Sequence, residues 1–228
     1  MFVPVTPSLP SWLSTATSTT FGAIARVRHA RGLHPRGVTL AGRASLTMAG
    51  RPLTTVADSK VVVRLSRGIG LPHPWPDFNG IAIRFVDAHG AAEHLDLLLT
   101  SSFSPPRARH LIFPWSTLDG LGYSTVLTFD GPDGTIMFRA ELDGARTLDA
   151  LDVAREDAVH IRVMSARPDA DWVDAARIQL DRVLAPDEAA AVRFDPWVTS
   201  TSLVLRGLLN RLRGPAYAGS RENGRAVA

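Results

Sequence analysis

Ile81-Ala82-Ile83-Arg84-Phe85-Val86-Asp87-Ala88-His89-Gly90-Ala91-Ala92-Glu93-His94-Leu95-Asp96-Leu97-Leu98-Leu99-Thr100 is the stretch whose reading decides the fold. Ile81, Ile83 and Phe85 alternate with Ala82 and Arg84, and Leu95, Leu97 and Leu99 alternate with Asp96 and Leu98. A period of two belongs to a β-strand, whose successive side chains point to opposite faces. Asp87-Ala88-His89-Gly90 lies between the runs and supplies residue types that tolerate positive φ, the signature of a hairpin. The stretch therefore predicts two antiparallel strands, over 81–87 and 94–100, each with one apolar face.

The same grammar extends to both sides. Strands are predicted over 37–48, 61–66, 124–129, 135–142, 158–165 and 175–184, with Val61, Val63 and Leu65 sharing a face and Asp130-Gly131-Pro132-Asp133-Gly134 as a second turn. Eight strands in roughly 150 residues predict a mainly β, antiparallel barrel or sandwich, and closure into a barrel would remove exposed strand edges. After Leu184 the pattern becomes helical. Ala185-Pro186-Asp187-Glu188-Ala189 starts like a short helix, Phe194-Asp195-Pro196-Trp197 breaks it, and residues 203–212 place Leu205, Leu208, Leu209 and Leu212 on one helical face. The expected organisation is an arm over residues 1–25, with Pro4, Pro7 and Pro10, and one barrel domain over 26–228 whose helical end begins at about 186.

Composition narrows the chemistry. The chain has 228 residues, 45% hydrophobic and 21% charged, and no cysteine. That excludes disulfide scaffolds, thiolate nucleophiles and cysteine-held iron–sulfur or zinc sites. Of the 25 basic residues only Lys60 is lysine, yet 22 acids leave a net charge of +3. An arginine-rich, nearly balanced chain has a high isoelectric point without the surplus that a phosphate-backbone binder needs, so no nucleic-acid partner is expected. No run of 18 apolar residues occurs and the first residues lack a basic, then apolar, leader, so no membrane span is expected and a cytoplasmic location is.

Several segments, in order, resemble the haem-dependent catalase-like family. Arg26-Val27-Arg28-His29-Ala30-Arg31-Gly32 is similar to the stretch that carries the family's distal histidine, and Val63-Arg64-Leu65-Ser66 to its Val-Arg-Phe-Ser. Asp77-Phe78-Asn79-Gly80-Ile81-Ala82-Ile83-Arg84-Phe85 resembles its Asp-Pro-Arg-Gly-Phe-Ala-Val-Lys-Phe strand, Leu95-Asp96-Leu97 its Trp-Asp-Leu, and Phe113-Pro114 its Phe-Pro. Phe194-Asp195-Pro196-Trp197, followed by Asn210-Arg211-Leu212-Arg213-Gly214-Pro215-Ala216-Tyr217 and Ser220, resembles Phe-Asn-Pro-Trp…Asn-Arg-x-Arg-x-x-x-Tyr-x-x-Ser. The resemblance covers residues 26 to 221 and implies an eight-stranded antiparallel barrel with C-terminal helices.

It also implies haem b as cofactor and a peroxidase or weak catalase-like oxidoreductase using hydrogen peroxide or an organic peroxide, with a homodimer compatible. His29 would be the distal acid/base, oriented by Ser66, and Tyr217 the proximal iron ligand, an axial donor known for catalase. Arg213 would favour the phenolate, Arg26 and Arg64 would meet the propionates, and Phe113 would line the cofactor. Two departures stand out. The family's distal asparagine falls on Leu99-Thr100-Ser101-Ser102, so hydroxyls of Thr100 or Ser101 replace a carboxamide, and Pro215 comes between Arg213 and Tyr217, where it disfavours a shared helix face. Arg221 and Arg225 fall off the family's spacing.

Without the resemblance, the commoner readings are His29 as a surface or satisfied histidine, Tyr217 as a tail aromatic packed back on the barrel, and the arginines as solvated surface. Two other functions stay open: a haem-free barrel that binds an apolar small molecule or serves structurally, and a phosphoester hydrolase. The second lacks a metal triad. His73 with Asp77, and His89 with Glu93 and His94, have no metalloenzyme spacing. Ser66 has no nucleophile-elbow glycines, and Gly68-Ile69-Gly70-Leu71-Pro72 has no phosphate-loop lysine.

Overall fold

The computed structural model describes residues 36–151, 159–196, 198–199 and 203–205. Among the described residues ten strands form: β1 (Arg36–Leu46), β2 (Asp58–Arg67), β3 (Asn79–Phe85), β4 (Leu95–Ser101), β5 (Gly122–Ser124), β6 (Phe129–Gly131), β7 (Gly134–Asp143), β8 (His160–Ala166), β9 (Val173–Val183) and β10 (Val204–Leu205), with one α-helix, α1 (Pro186–Ala191). Eight of them, β1-β2-β3-β4-β5-β7-β8-β9, close into an antiparallel ring through the β7–β8 and β9–β1 pairings. β6 is a hairpin partner of β7, and β10 pairs with β6 outside the ring.

Alternation fills this barrel as the sequence predicts. Leu40, Val63, Ile83 and Leu97 are register partners on successive strands, and Leu65, Ile81 and Leu99 form the next layer. All seven are buried. Each such side chain gains about 1.5–3 kcal/mol on burial. A one-residue slip would turn a whole strand's apolar set outward, so the core fixes the register. At the β1–β9 seam the register shifts between Ala41 and Gly42. A Cβ on Gly42 would sit 2.2 Å from the Gln179 carbonyl oxygen, so the two backbones meet this closely only with glycine there.

At one end of the barrel, loop 68–78 joins β2 to β3. The buried Asp77 carboxylate accepts backbone N–H bonds from Ile69, Gly70, Leu71 and Phe78 at 2.7–3.0 Å. Arg67, 3.8 Å from Asp77, donates to the carbonyls of Leu71, Ser116 and Trp75. The loop's polar groups are thus satisfied inward, while Ile69 and Trp75 are exposed.

Two predicted elements differ. The strand expected over 124–129 is two strands, because Val126 adopts φ 60°. The kink is held by Val126 N–H donating to Ser124 Oγ and by Thr125 Oγ1 donating to the Leu127 carbonyl. The helix expected over 203–212 begins instead as β10, with Leu203 buried and Val204 and Leu205 paired to Asp130 and Phe129; the remainder lies outside the described residues. Among the described residues no helix is long and apolar enough to cross a membrane.

Candidate functional site

The inner face of the barrel is filled, so chemistry falls to the outer faces, and these are of two kinds. On β7, β8 and β9 the outward residues are charged and tied across strands: Arg162 contacts Asp174 at 2.6 Å and Glu141 at 3.7 Å, and Arg177 contacts Asp174 at 3.6 Å. This face lines an open groove with Asp119, His160 and Arg139. The outward positions of β1 to β4 are mixed instead, with Gly37, Ala41, Gly80 and Ala82 beside Arg64, Arg84 and Asp96.

Register places these residues in rows. Gly37, Ser66, Gly80, Thr100 and Ser124 are successive Cα partners, followed along the strands by Thr39, Arg64, Ala82 and Leu98, and then by Ala41, Val62, Arg84 and Asp96. Ser66 therefore stands between two glycines, and Arg64 between a threonine and an alanine. With strands about 4.8 Å apart, Ser66 and Thr100 are roughly 10 Å apart across Gly80, which puts no side chain between them. Ser66 and Thr39 are buried although they point away from the core.

Arg64 lies along the sheet. Its Nη1 donates to Thr39 Oγ1 at 3.3 Å, and its guanidinium fills the space beside Gly37 where a Cβ would stand 2.8 Å from Nη2. Burial lowers its pKa from the ordinary arginine value, the mark of a cation partly removed from water. Ser66 Oγ donates to the Gly80 carbonyl at 3.3 Å, and Thr100 Oγ1 to the Asn79 carbonyl at 3.3 Å.

Arg64, Ser66 and Thr100 are thus brought onto one face. Ser101 is not, because the next residue on a strand points the other way. Its Oγ donates inward to the Phe113 carbonyl at 2.5 Å, and Phe113 N–H returns a bond to the Ser101 carbonyl at 2.9 Å. The half-buried Phe113 ring packs on Phe103 at 4.8 Å and Trp115 at 6.0 Å. Arg26, His29, Arg213 and Tyr217 lie outside the described residues.

Some arginines expected on the surface are interior. Arg109 is fully buried, donates to the Arg167 and Ala170 carbonyls, and stacks 4.3 Å from the Trp172 ring centroid. Arg139, 5% exposed, fills the space beside Gly122. Nothing in the sequence separates Arg109 from the exposed Arg107 two residues earlier. Sequence reasoning also assigned no role to Arg84 and Asp96, whose bidentate pair has both contacts at 2.7 Å. Among the described residues no group of three His, Cys, Asp or Glu side chains is placed to hold a metal, and Asp77 is committed to backbone N–H groups.

No family model and no curated protein matches the sequence. Solved structures do. The chain is similar to a fungal catalase at 13% identity, covering 94% of this chain and 64% of the catalase, with a TM-score of 0.53. A bacterial catalase gives 13% identity, 95% and 61% coverage and a TM-score of 0.55. Catalase A from Saccharomyces cerevisiae gives 12% identity, 95% and 65% coverage and a TM-score of 0.55. The barrel has the catalase-like fold, and the chain spans just under two thirds of the length of each of these structures.

Proposed function

We propose that this chain is a haem-binding oxidoreductase that uses hydrogen peroxide or an organic peroxide as oxidant. The observation that carries the reading is the outer face of β1 to β4, where Gly37, Gly80 and Ala82 leave a low floor beside the Arg64 guanidinium and the buried Ser66 hydroxyl. A flat macrocycle with carboxylates at its edge needs a floor without large side chains and a planar, permanently charged donor. These residues fit that need, and Arg64 with Arg26 would take the carboxylate edge. Bound haem supplies an iron centre that exchanges electrons with peroxide.

The chain's own residues do the rest. Tyr217 would hold such an iron through its phenolate oxygen, and the positive charge of Arg213 would favour the deprotonated phenol. A neutral ring nitrogen of His29 would take the proton from one peroxide oxygen and return it to the oxygen that leaves as water or, from an organic peroxide, as an alcohol, with the electrons for O–O cleavage supplied by bound haem. The role that the resemblance gives Ser66 is to orient the His29 ring. Ser101 serves by fixing the Phe113 segment rather than by touching peroxide. Thr100 Oγ1 donates to its own sheet at the Asn79 carbonyl, so its one O–H donor is committed where a carboxamide would offer N–H groups to peroxide. That favours peroxidase chemistry with weak catalase turnover.

Addition of haemin to the purified protein tests the reading. A Soret band is expected that is lost in Tyr217→Phe and kept in Tyr123→Phe. A wild-type protein that gives no Soret band overturns it and leaves a haem-free binding or structural barrel.

A further inference from the structure

Because neighbouring strands are antiparallel, the β2–β3 and β4–β5 connections lie at the same end of the barrel. Both turn large apolar side chains outward there. Ile69 and Trp75 are 51% and 65% exposed, and Leu71 and Trp115 36% each. An antiparallel bridge joins the two connections, with Asp77 N–H donating to the Trp115 carbonyl at 3.0 Å and Trp115 N–H to the Asp77 carbonyl at 2.9 Å. Asn79 Nδ2 adds bonds to the Trp115 and Thr117 carbonyls at 3.1 and 2.7 Å. The exposed side chains are thus carried on a buried polar frame, and a concentration of this kind marks contact with a protein or a membrane.

The backbone decides between them. Gly68 N–H is spent on the Phe78 carbonyl, those of Ile69, Gly70, Leu71 and Phe78 on the Asp77 carboxylate, and that of Trp75 on the Pro72 carbonyl. Pro72, Pro74 and Pro76 have no N–H to offer. Arg67 takes up the carbonyls of Leu71 and Trp75 from inside. His73 is the one ionisable residue over 68–76, and residues 111–118 carry none. A protein partner normally makes a hydrogen bond for about every 100–200 Å² of interface, and this surface has few groups left to make them. A loop whose polar groups are already satisfied loses little on leaving water, which is the condition for entering lipid. Tryptophan, with an apolar body and one N–H, belongs at the headgroup level. We infer that this end of the barrel is a peripheral membrane-binding face, on which Ile69, Leu71, Trp75 and Trp115 enter the headgroup–acyl boundary of a lipid bilayer. An uncharged face matches a bilayer without net charge. The inference is independent of haem.

Flotation of the full chain, without haemin, on vesicles of phosphatidylcholine alone tests this. The protein is expected to float with the vesicles and to stay bound at about 1 M salt, where charge attraction is screened beyond about 3 Å. The double variant Ile69→Ser with Trp75→Ser should lower the partition coefficient by at least about tenfold, since lipid affinity scales with the apolar area buried. Met48→Ser removes a side chain that is 70% exposed in the β1–β2 connection, at the opposite end of the barrel, and should change nothing. All three positions are exposed, so the variants should fold, and unchanged thermal midpoints check this. A folded wild type that stays with the soluble fraction overturns the inference. So does binding that about 1 M salt abolishes, or that the double variant keeps in full. A wild type that fails to float but forms a dimer, dissociated in the double variant, overturns it too and gives the face to a second copy of the chain.

Discussion

The guanidinium of Arg64 occupies the space that a side chain on Gly37 would need: a Cβ there would stand 2.8 Å from Nη2 and 2.9 Å from the Leu65 carbonyl oxygen. Gly37→Ala must therefore push Arg64 off the sheet and strain β1 against β2, at about 1–3 kcal/mol of stability. If the proposed haem function holds, affinity for added haemin should fall roughly tenfold with the displaced cation. If the loss acts through Arg64, Gly37→Ala adds almost nothing to the affinity defect of Arg64→Leu, because the two residues share one interaction. Haemin titrations of the two single variants and the double variant measure this, and additive losses would show that Gly37 and Arg64 act separately.

Asp77 and Asp174 are both in ion pairs, yet they should differ sharply. Asp77 is fully buried, accepts four backbone N–H groups, two on each oxygen, and lies 3.8 Å from Arg67, so Asp77→Asn sets an NH2 group against two of those donors and removes the charge beside the buried cation. The expected cost is about 3–5 kcal/mol. Asp174 pairs with exposed arginines, and Asp174→Asn should cost no more than about 1 kcal/mol. Urea unfolding midpoints of the two variants decide the matter, and equal shifts would mean that the loop at the barrel end is not held by Asp77.

Stability should fall on the alkaline side because of Tyr123. Burial is the main reason that its phenol is held above the ordinary value, with Asp119 adding to the effect and Arg67 opposing it, and its hydroxyl donates to the Leu118 carbonyl at 2.5 Å. A raised folded-state pKa stabilises fully below the unfolded value, near 10, and the contribution drains away as pH rises past it. In Tyr217→Phe, Tyr123 is the sole phenol, so its ultraviolet ionisation signal should appear together with loss of the near-ultraviolet circular dichroism. Reversible ionisation near pH 10 with native dichroism intact would contradict the buried, bonded hydroxyl.

How much of this was legible in the sequence depends on what each residue's neighbours are. Val63, Ile83 and Leu97 announce themselves because a barrel core has the strand's own period, and the shared face of Arg64 and Ser66 follows from parity alone. Thr100 and Ser101 were equal candidates for the distal donor. Only register separates them, since it turns Thr100 toward the Ser66 row and Ser101 toward Phe113. Leu203, Val204 and Leu205 fit either period when read alone, and the tertiary pairing with β6 chose the strand. The break at Val126 comes from bonds to Ser124 and Thr125 that propensity does not encode. Arg84, Asp96 and Arg109 look like solvated charges until the distant segments that cover them are known.

Thr100 is the position where chemistry can be gained rather than lost. It lies on the outer face between Gly80 and Ser124, in the row of Ser66, and its hydroxyl donates to the Asn79 carbonyl of its own sheet. A carboxamide is longer and offers two N–H donors, so in Thr100→Asn it reaches past the sheet over the glycine gap on the side of Ser66. Fixed donors aimed at developing charge are worth on the order of 10²-fold or more in rate where water is excluded. With haem bound, Thr100→Asn should therefore raise oxygen evolution from hydrogen peroxide by at least about tenfold, while Ser101→Asn, on the inner face, should only destabilise the barrel. Initial rates of oxygen release and thermal midpoints of the two variants test this. A Thr100→Asn protein that keeps its Soret band but gains no turnover would mean that the missing carboxamide is not what limits peroxide cleavage here.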